Sequence, residues 1–131
     1  MQDRGRRTNL KTLSVIIPIY NEINIEPNIK RVMNVLDGAG IDHEIIMVDD
    51  GSKNTAWNEM AALAEKYPNI TAIAFSRNFG KESALCAGLD SAQGDCAICL
   101  DADMQFPPEV IPEMYRLWES GFEVIGGVKR Q

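Results

Sequence analysis

A chain of 131 residues, 45% hydrophobic and 24% charged, is long enough to bury a core, which excludes a disordered tail. Its net charge of -6 argues against nucleic acid as the default partner, since phosphate backbones require a basic surface. No apolar run reaches the roughly 20 residues that span a bilayer.

The start, MQDRGRRTNLK, is basic and polar and lacks the apolar stretch of a secretory signal. Residues 1–12 are expected to form a flexible basic arm, with contact to anionic lipid headgroups as the alternative use. A first strand is predicted over LSVIIPI, Leu13 to Ile19, followed by Tyr20-Asn21-Glu22. A helix over Ile25 to Ala39 places Ile29, Val32, Met33 and Leu36 on one face and stops at Gly38 and Gly40. The second strand, Glu44 to Val48, runs into Asp49-Asp50-Gly51-Ser52, which taken alone is an ordinary turn with a helix cap nearby. Thr55 to Tyr67 is a second helix that carries Trp57, Met60, Ala61 and Ala64 before Pro68.

The third strand, Ile70 to Phe75, gives way to Ser76-Arg77-Asn78-Phe79-Gly80-Lys81, and Lys81 to Gln93 is a small, apolar third helix. The fourth strand, Cys96 to Leu100, ends in Asp101-Ala102-Asp103-Met104-Gln105. Pro107 and Pro108 suit the first turn of a fourth helix, Glu109 to Ser120, and a fifth strand is predicted over Glu123 to Gly127. The three cysteines show no disulfide pattern; Cys96 and Cys99, three apart on a strand, point to opposite faces and read as structural thiols.

Short runs that are apolar almost throughout, alternating with amphipathic ones, predict an α/β fold: a mainly parallel sheet flanked by helices. Ligands of such sheets sit beyond the carboxyl ends of the strands, and there every predicted strand turns from apolar to polar. The rim would gather acidic side chains from two loops, Arg77 and Lys81 from another, and Tyr20 from the first. Such a set suits a nucleotide: an aromatic to flank the base, carboxylates for N–H and ribose hydroxyls, cations for phosphate. If 101–105 continues the strand, Asp101, Asp103 and Gln105 share one side and form an all-oxygen face suited to Mg²⁺ or Mn²⁺. The rival use of these aspartates, capping the next helix, is weakened by Pro107 and Pro108, which start that helix further on. No G-x-G-x-x-G or Walker loop is present, which disfavours a dinucleotide oxidoreductase or an ATPase.

SVIIPIYNE, IIMVDDGS, SRNFGKESALCAGLDSAQGD and LDADMQFPPEVIPEM, in this order, resemble glycosyltransferase family 2. The likeness is to its polyprenyl-phosphate hexosyltransferase branch, the dolichyl-phosphate mannose synthase and bacterial polyprenyl-phosphate glucosyltransferase type, and runs from about Leu13 to Lys129. The resemblance implies a GT-A fold that binds a UDP- or GDP-sugar with Mg²⁺ or Mn²⁺. Pro18, Tyr20, Glu22, Val48 and Asp50 would contact the nucleoside, and Asp101 and Ala102 would lie along the ribose and diphosphate. Asp103 and Gln105 would hold the metal, Asp101 and Asp103 would be the catalytic pair, and Lys129 would approach the donor phosphates or sugar. Arg77 and Lys81 match their motif and join the donor-binding set.

Relatives of this branch continue past the fifth strand into acceptor-binding helices and often transmembrane helices. Residues 13–131 thus resemble the amino-terminal, donor-binding part of an enzyme, cytoplasmic here and at the cytoplasmic membrane face in the parent. The parent reaction implied is inverting transfer of a hexose to polyprenyl phosphate. The alternatives are a nucleotide-sugar-binding module without transfer, or a family member with a saccharide acceptor. An open sheet edge left by missing strands would favour a homo-oligomer.

Overall fold

The computed structural model describes residues 11–120. Residues 1–10 of the basic arm, the strand predicted at Glu123 to Gly127, and Lys129 lie outside the described residues.

Among the described residues four strands form one parallel sheet: β1 (Leu13–Ile19), β2 (His43–Asp49), β3 (Ile70–Ala74) and β4 (Cys96–Cys99), in the order β3-β2-β1-β4. Leu13 pairs with His43 on one side and with Cys96 on the other, so β1 is central and flanked in register by β2 and β4. Four helices connect or follow the strands: α1 (Ile25–Gly38), α2 (Ala56–Lys66), α3 (Lys81–Ser91) and α4 (Ile111–Glu119). A single 3₁₀ turn, Pro108–Val110, leads into α4 where the sequence predicted one continuous helix.

Alternation along the strands sorts side chains between two cores. Val15, Ile17, Ile19, Ile45 and Met47 face α1, α2 and α4, whose Ile29, Leu36, Met60, Leu63, Ile111 and Tyr115 complete that cluster. Ile16, Ile46 and Val48 face the other way and meet Ala84 of α3. Each such side chain contributes about 1.5–3 kcal/mol on burial, before the opposing chain entropy is counted. Cys96 packs against the first cluster and Cys99 against the second, so the two thiols do sit on opposite faces, and all three cysteines are free.

The buried stripe of α2 is Ala56, Met60 and Leu63, which rotates Trp57 to the surface. At the amino ends of the strands, buried Ser14 donates to Glu44 Oε2 at 2.6 Å, and Gly94 N–H donates to Ser14 Oγ at 2.9 Å. A Cβ on Gly94 would run into that hydroxyl and the Thr12 carbonyl, so a glycine suits this join into β4.

Running from β1 to β2 to β3 moves outward along the sheet; β4 then returns to the far side of β1. The reversal requires α3 to cross on the opposite face from α1 and α2, as the two cores show. The crevice at such a reversal, beyond the strand carboxyl ends, is where open α/β sheets hold ligands.

Candidate functional site

A cleft of about 260 Å³ opens at that reversal. It is lined by Pro18, Ile19, Tyr20 and Glu22 after β1, Asp50 after β2, Lys81 at the start of α3, and Asp101, Ala102 and Asp103 after β4. Eight of these nine residues are ones the sequence put forward; Ile19, a core residue whose edge forms part of the wall, was not among them.

Each segment is held by its own polar contacts. Asn21 takes a left-handed conformation (φ 54°), and its N–H donates to Ser52 Oγ at 2.8 Å while its Oδ1 accepts from Lys53 N–H at 2.7 Å. Asn54 Nδ2 donates to the Glu22 carbonyl at 3.1 Å. The loops after β1 and β2 are therefore laced together before any ligand is considered. Gly51 (φ 74°) lies against the backbone of Arg77 and Asn78, where a Cβ would collide.

Asp50, only 4% exposed, directs both carboxylate oxygens at the next loop. It accepts from Asn78 Nδ2 (2.9 Å), Phe79 N–H (2.7 Å) and Gly80 N–H (3.0 Å). Asn78 Nδ2 also reaches the Asp50 carbonyl at 3.2 Å. This clamp sets Gly80, which turns at φ 109°, and so fixes where α3 begins. Lys81, the first residue of α3, then reaches Asp101, with Nζ 2.7 Å from Oδ1.

The loop after β4 departs from the extended geometry that the sequence suggested. The strand ends at Cys99, and Asp101 to Met104 form a turn closed by Met104 N–H to the Asp101 carbonyl at 3.1 Å. Met104 adopts φ 60°, a left-handed conformation that costs a non-glycine residue roughly 1–2 kcal/mol, offset by burying its side chain in the core. Asn28 Nδ2 of α1 supports the turn from below by donating to the Ala102 carbonyl at 3.2 Å. Asp101 and Asp103 still share the cleft, brought there by a turn and not by strand alternation. Gln105 does not join them: it is exposed, does not line the cleft, and its N–H donates to Asp103 Oδ1 at 3.2 Å.

Two other candidates lie off the cleft for identifiable reasons. Val48 faces α3 and its side chain is consumed by packing with Ile16, Ile46 and Ala84. Arg77 is drawn onto the Phe79 ring, its guanidinium carbon 4.5 Å from the centroid, and Phe79 in turn meets Phe75 edge-on.

Among the described residues the cleft is lined by four acidic side chains and one lysine. Burial, reinforced by the charges of Asp103 and Asp101, pushes the Glu22 carboxyl above the usual carboxylate range. The Glu22, Asp101 and Asp103 carboxylates, with Lys81 against Asp101, line a site that gains from added positive charge. Its donors are hard oxygens. Among the described residues no three His, Cys, Asp or Glu side chains converge as a ready-made metal cage.

The family model for glycosyl transferase family 2 matches residues 14–131. The chain belongs to this family. An uncharacterized glycosyltransferase of Synechocystis sp. is 42% identical over 119 residues, covering 90% of this chain and 37% of that protein. The undecaprenyl-phosphate 4-deoxy-4-formamido-L-arabinose transferase of Shewanella sediminis is 37% identical over 124 residues, covering 93% of this chain and 38% of that protein. The chain thus spans little more than a third of the length of these family members.

Among solved structures, a mannosyltransferase from Pyrobaculum calidifontis in complex with GDP-Man and Mn²⁺ superposes with a TM-score of 0.66 at 24% identity, covering 83% of this chain and 32% of that one. Staphylococcus aureus TarS (residues 1–349) superposes with a TM-score of 0.61 at 23% identity, over 83% of this chain and 32% of that one. At these identities the likeness is one of fold, and the fold is GT-A. Among the described residues no helix is long and apolar enough to cross a membrane.

Proposed function

We propose that this family 2 chain supplies the nucleotide-sugar-binding part of an enzyme that transfers a sugar to polyprenyl phosphate. The observation that carries the reading is the cleft itself: an aromatic rim, four carboxylates and one lysine at the strand reversal of a GT-A sheet. The relative named for undecaprenyl phosphate supports a lipid-phosphate acceptor over a saccharide. Its named sugar, an arabinose derivative, widens the donor from the hexose expected to glycosyl groups of either size.

In this reading Tyr20, 43% exposed at the rim, offers a ring face to the base, and Pro18 and Ile19 form the apolar wall beside it. Glu22 accepts from base or ribose donors, Asp101 and Ala102 lie along the ribose and diphosphate, and Lys81 neutralises phosphate charge. The donor set fits Mg²⁺ or Mn²⁺, which takes one or two carboxylates and completes its shell with substrate phosphates. Asp103 and Asp101 are the residues that would hold it; Gln105 is a proposed ligand only if the turn rearranges. When bound, such an ion would supply Lewis-acid neutralisation of a departing diphosphate. An acceptor phosphate oxygen is already ionised, so inverting displacement demands no strong general base from this chain.

Calorimetric titration of UDP, GDP and their sugars, with and without Mn²⁺, tests the assignment on wild type and Asp103→Ala. Metal-dependent binding of one nucleotide by the wild type, weakened at least about tenfold in the variant, is the expected result. If no nucleoside diphosphate binds in a metal-dependent way, the donor-site assignment fails.

A further inference from the structure

Among the described residues Lys81 is the only lysine or arginine that lines the cleft, and it faces Asp101, with Glu22 and Asp103 on the same walls. Its place is built in: the Asp50 clamp on Phe79 and Gly80 fixes the residue that follows, and α3 begins there. The ammonium nonetheless sits on a flexible four-carbon stem that is half exposed, so it can change partner without moving the helix. An oxygen of Asp101 engaged at 2.7 Å by an ammonium has less negative potential to offer a second cation, and two cations on one carboxylate repel.

We propose, on the nucleotide-sugar reading above, that Lys81 is a built-in competitor of the divalent cation at Asp101. A donor diphosphate offers the ammonium a stronger partner and draws it off the carboxylate. Asp101 is then released to the metal at the moment the nucleotide arrives. Metal and nucleotide therefore enter as strongly coupled ligands, each raising the affinity of the other, and free metal alone is held back by the lysine. Lys81 thereby acts on the order of binding as well as on the charge of the phosphates.

The test is titration of the 131-residue chain with Mn²⁺ alone, followed by paramagnetic resonance of free Mn²⁺, and then with Mn²⁺ in the presence of UDP or GDP. Lys81→Met is expected to bind Mn²⁺ alone about threefold tighter or better, because the competing charge is gone. In that variant the nucleotide should enhance Mn²⁺ affinity about tenfold less than in wild type. Lys81→Arg, which keeps the charge, should stay close to wild type in the metal-only titration. Lys81→Gln repeats the measurement with a polar stem should the methionine variant unfold. Unchanged or weaker Mn²⁺ binding by the neutral variants, with wild type still binding nucleotide, overturns the competition alone. Failure of wild type to bind any nucleoside diphosphate overturns both this inference and the function on which it rests.

Discussion

Asp50 shows how a residue read as a ligand contact can be spent on architecture. The family resemblance assigns it to the nucleoside, yet its oxygens accept from Asn78, Phe79 and Gly80, and little of it is exposed. Replacing it with alanine would leave two backbone N–H groups without their acceptor and loosen the start of α3. Asp50→Ala is expected to lose about 2–4 kcal/mol of stability in urea unfolding, and Asp50→Asn, which retains one acceptor oxygen, roughly half as much. Nucleotide affinity should fall with stability in the same order. A different pattern, with stability kept within about 0.5 kcal/mol and nucleotide binding abolished, would show Asp50 to be a ligand contact first and a clamp second.

Among the described elements, α3 packs tightly on the sheet and is the helix that covers its face. It does so through Ala84 and Gly88, one turn apart, with a Cβ at Gly88 set to collide with Ile16 Cγ2. Alanine would favour the helix by roughly 1 kcal/mol, but Ile16 is buried, stiff at its branched carbon and unable to give way. Overpacking of this kind costs about 1–3 kcal/mol, so Gly88→Ala is expected to lower the thermal midpoint despite its better helix propensity. A rise in the midpoint would mean that α3 can lift from β1. Element identity was legible in the sequence because the middles of β1 and β2 are continuous apolar runs and the helices keep a three-to-four-residue period. The side-chain sorting at Cys96 and Cys99 was legible for the same reason. What the pattern could not show depended on tertiary geometry. The left-handed Met104 breaks the alternation that placed Gln105 with the aspartates; Val48 is claimed by α3 and Arg77 by Phe79. Asn21 and Asn24, both left-handed, carried a signal that was not used, since asparagine is the residue that most readily follows glycine into that region. Asn28, which holds the Ala102 carbonyl, carried none.

At the scale of the molecule, the cleft belongs to no single element: its walls come from the ends of β1, β2 and β4 and the start of α3. A ligand there bridges both sides of the central strand, so its binding energy should oppose unfolding of the whole sheet and not of one loop. The cysteines provide a reporter. Cys86 is exposed on α3, whereas burial, aided by Asp95 and Glu119 and only partly countered by Lys11, pushes the Cys96 thiol up to about 11. Burial likewise raises Cys99. An unfolded thiol ionises near 8.5, so between about 8.5 and 11 the folded chain holds a proton at Cys96 that the unfolded chain has lost. The contribution of Cys96 to stability is therefore complete below that window and declines as pH rises through it. At pH 8, iodoacetamide should modify exposed Cys86 promptly and half-buried Cys96 more slowly, chiefly through opening of the sheet. UDP or GDP with Mn²⁺, at about a hundred times its dissociation constant, should slow Cys96 modification about a hundredfold while leaving Cys86 unaffected. Peptide mass spectrometry of timed samples reads both sites in one experiment. If the ligand protects Cys86 and Cys96 equally, it binds elsewhere than the strand reversal; if it protects neither, the cleft is not coupled to the stability of the sheet.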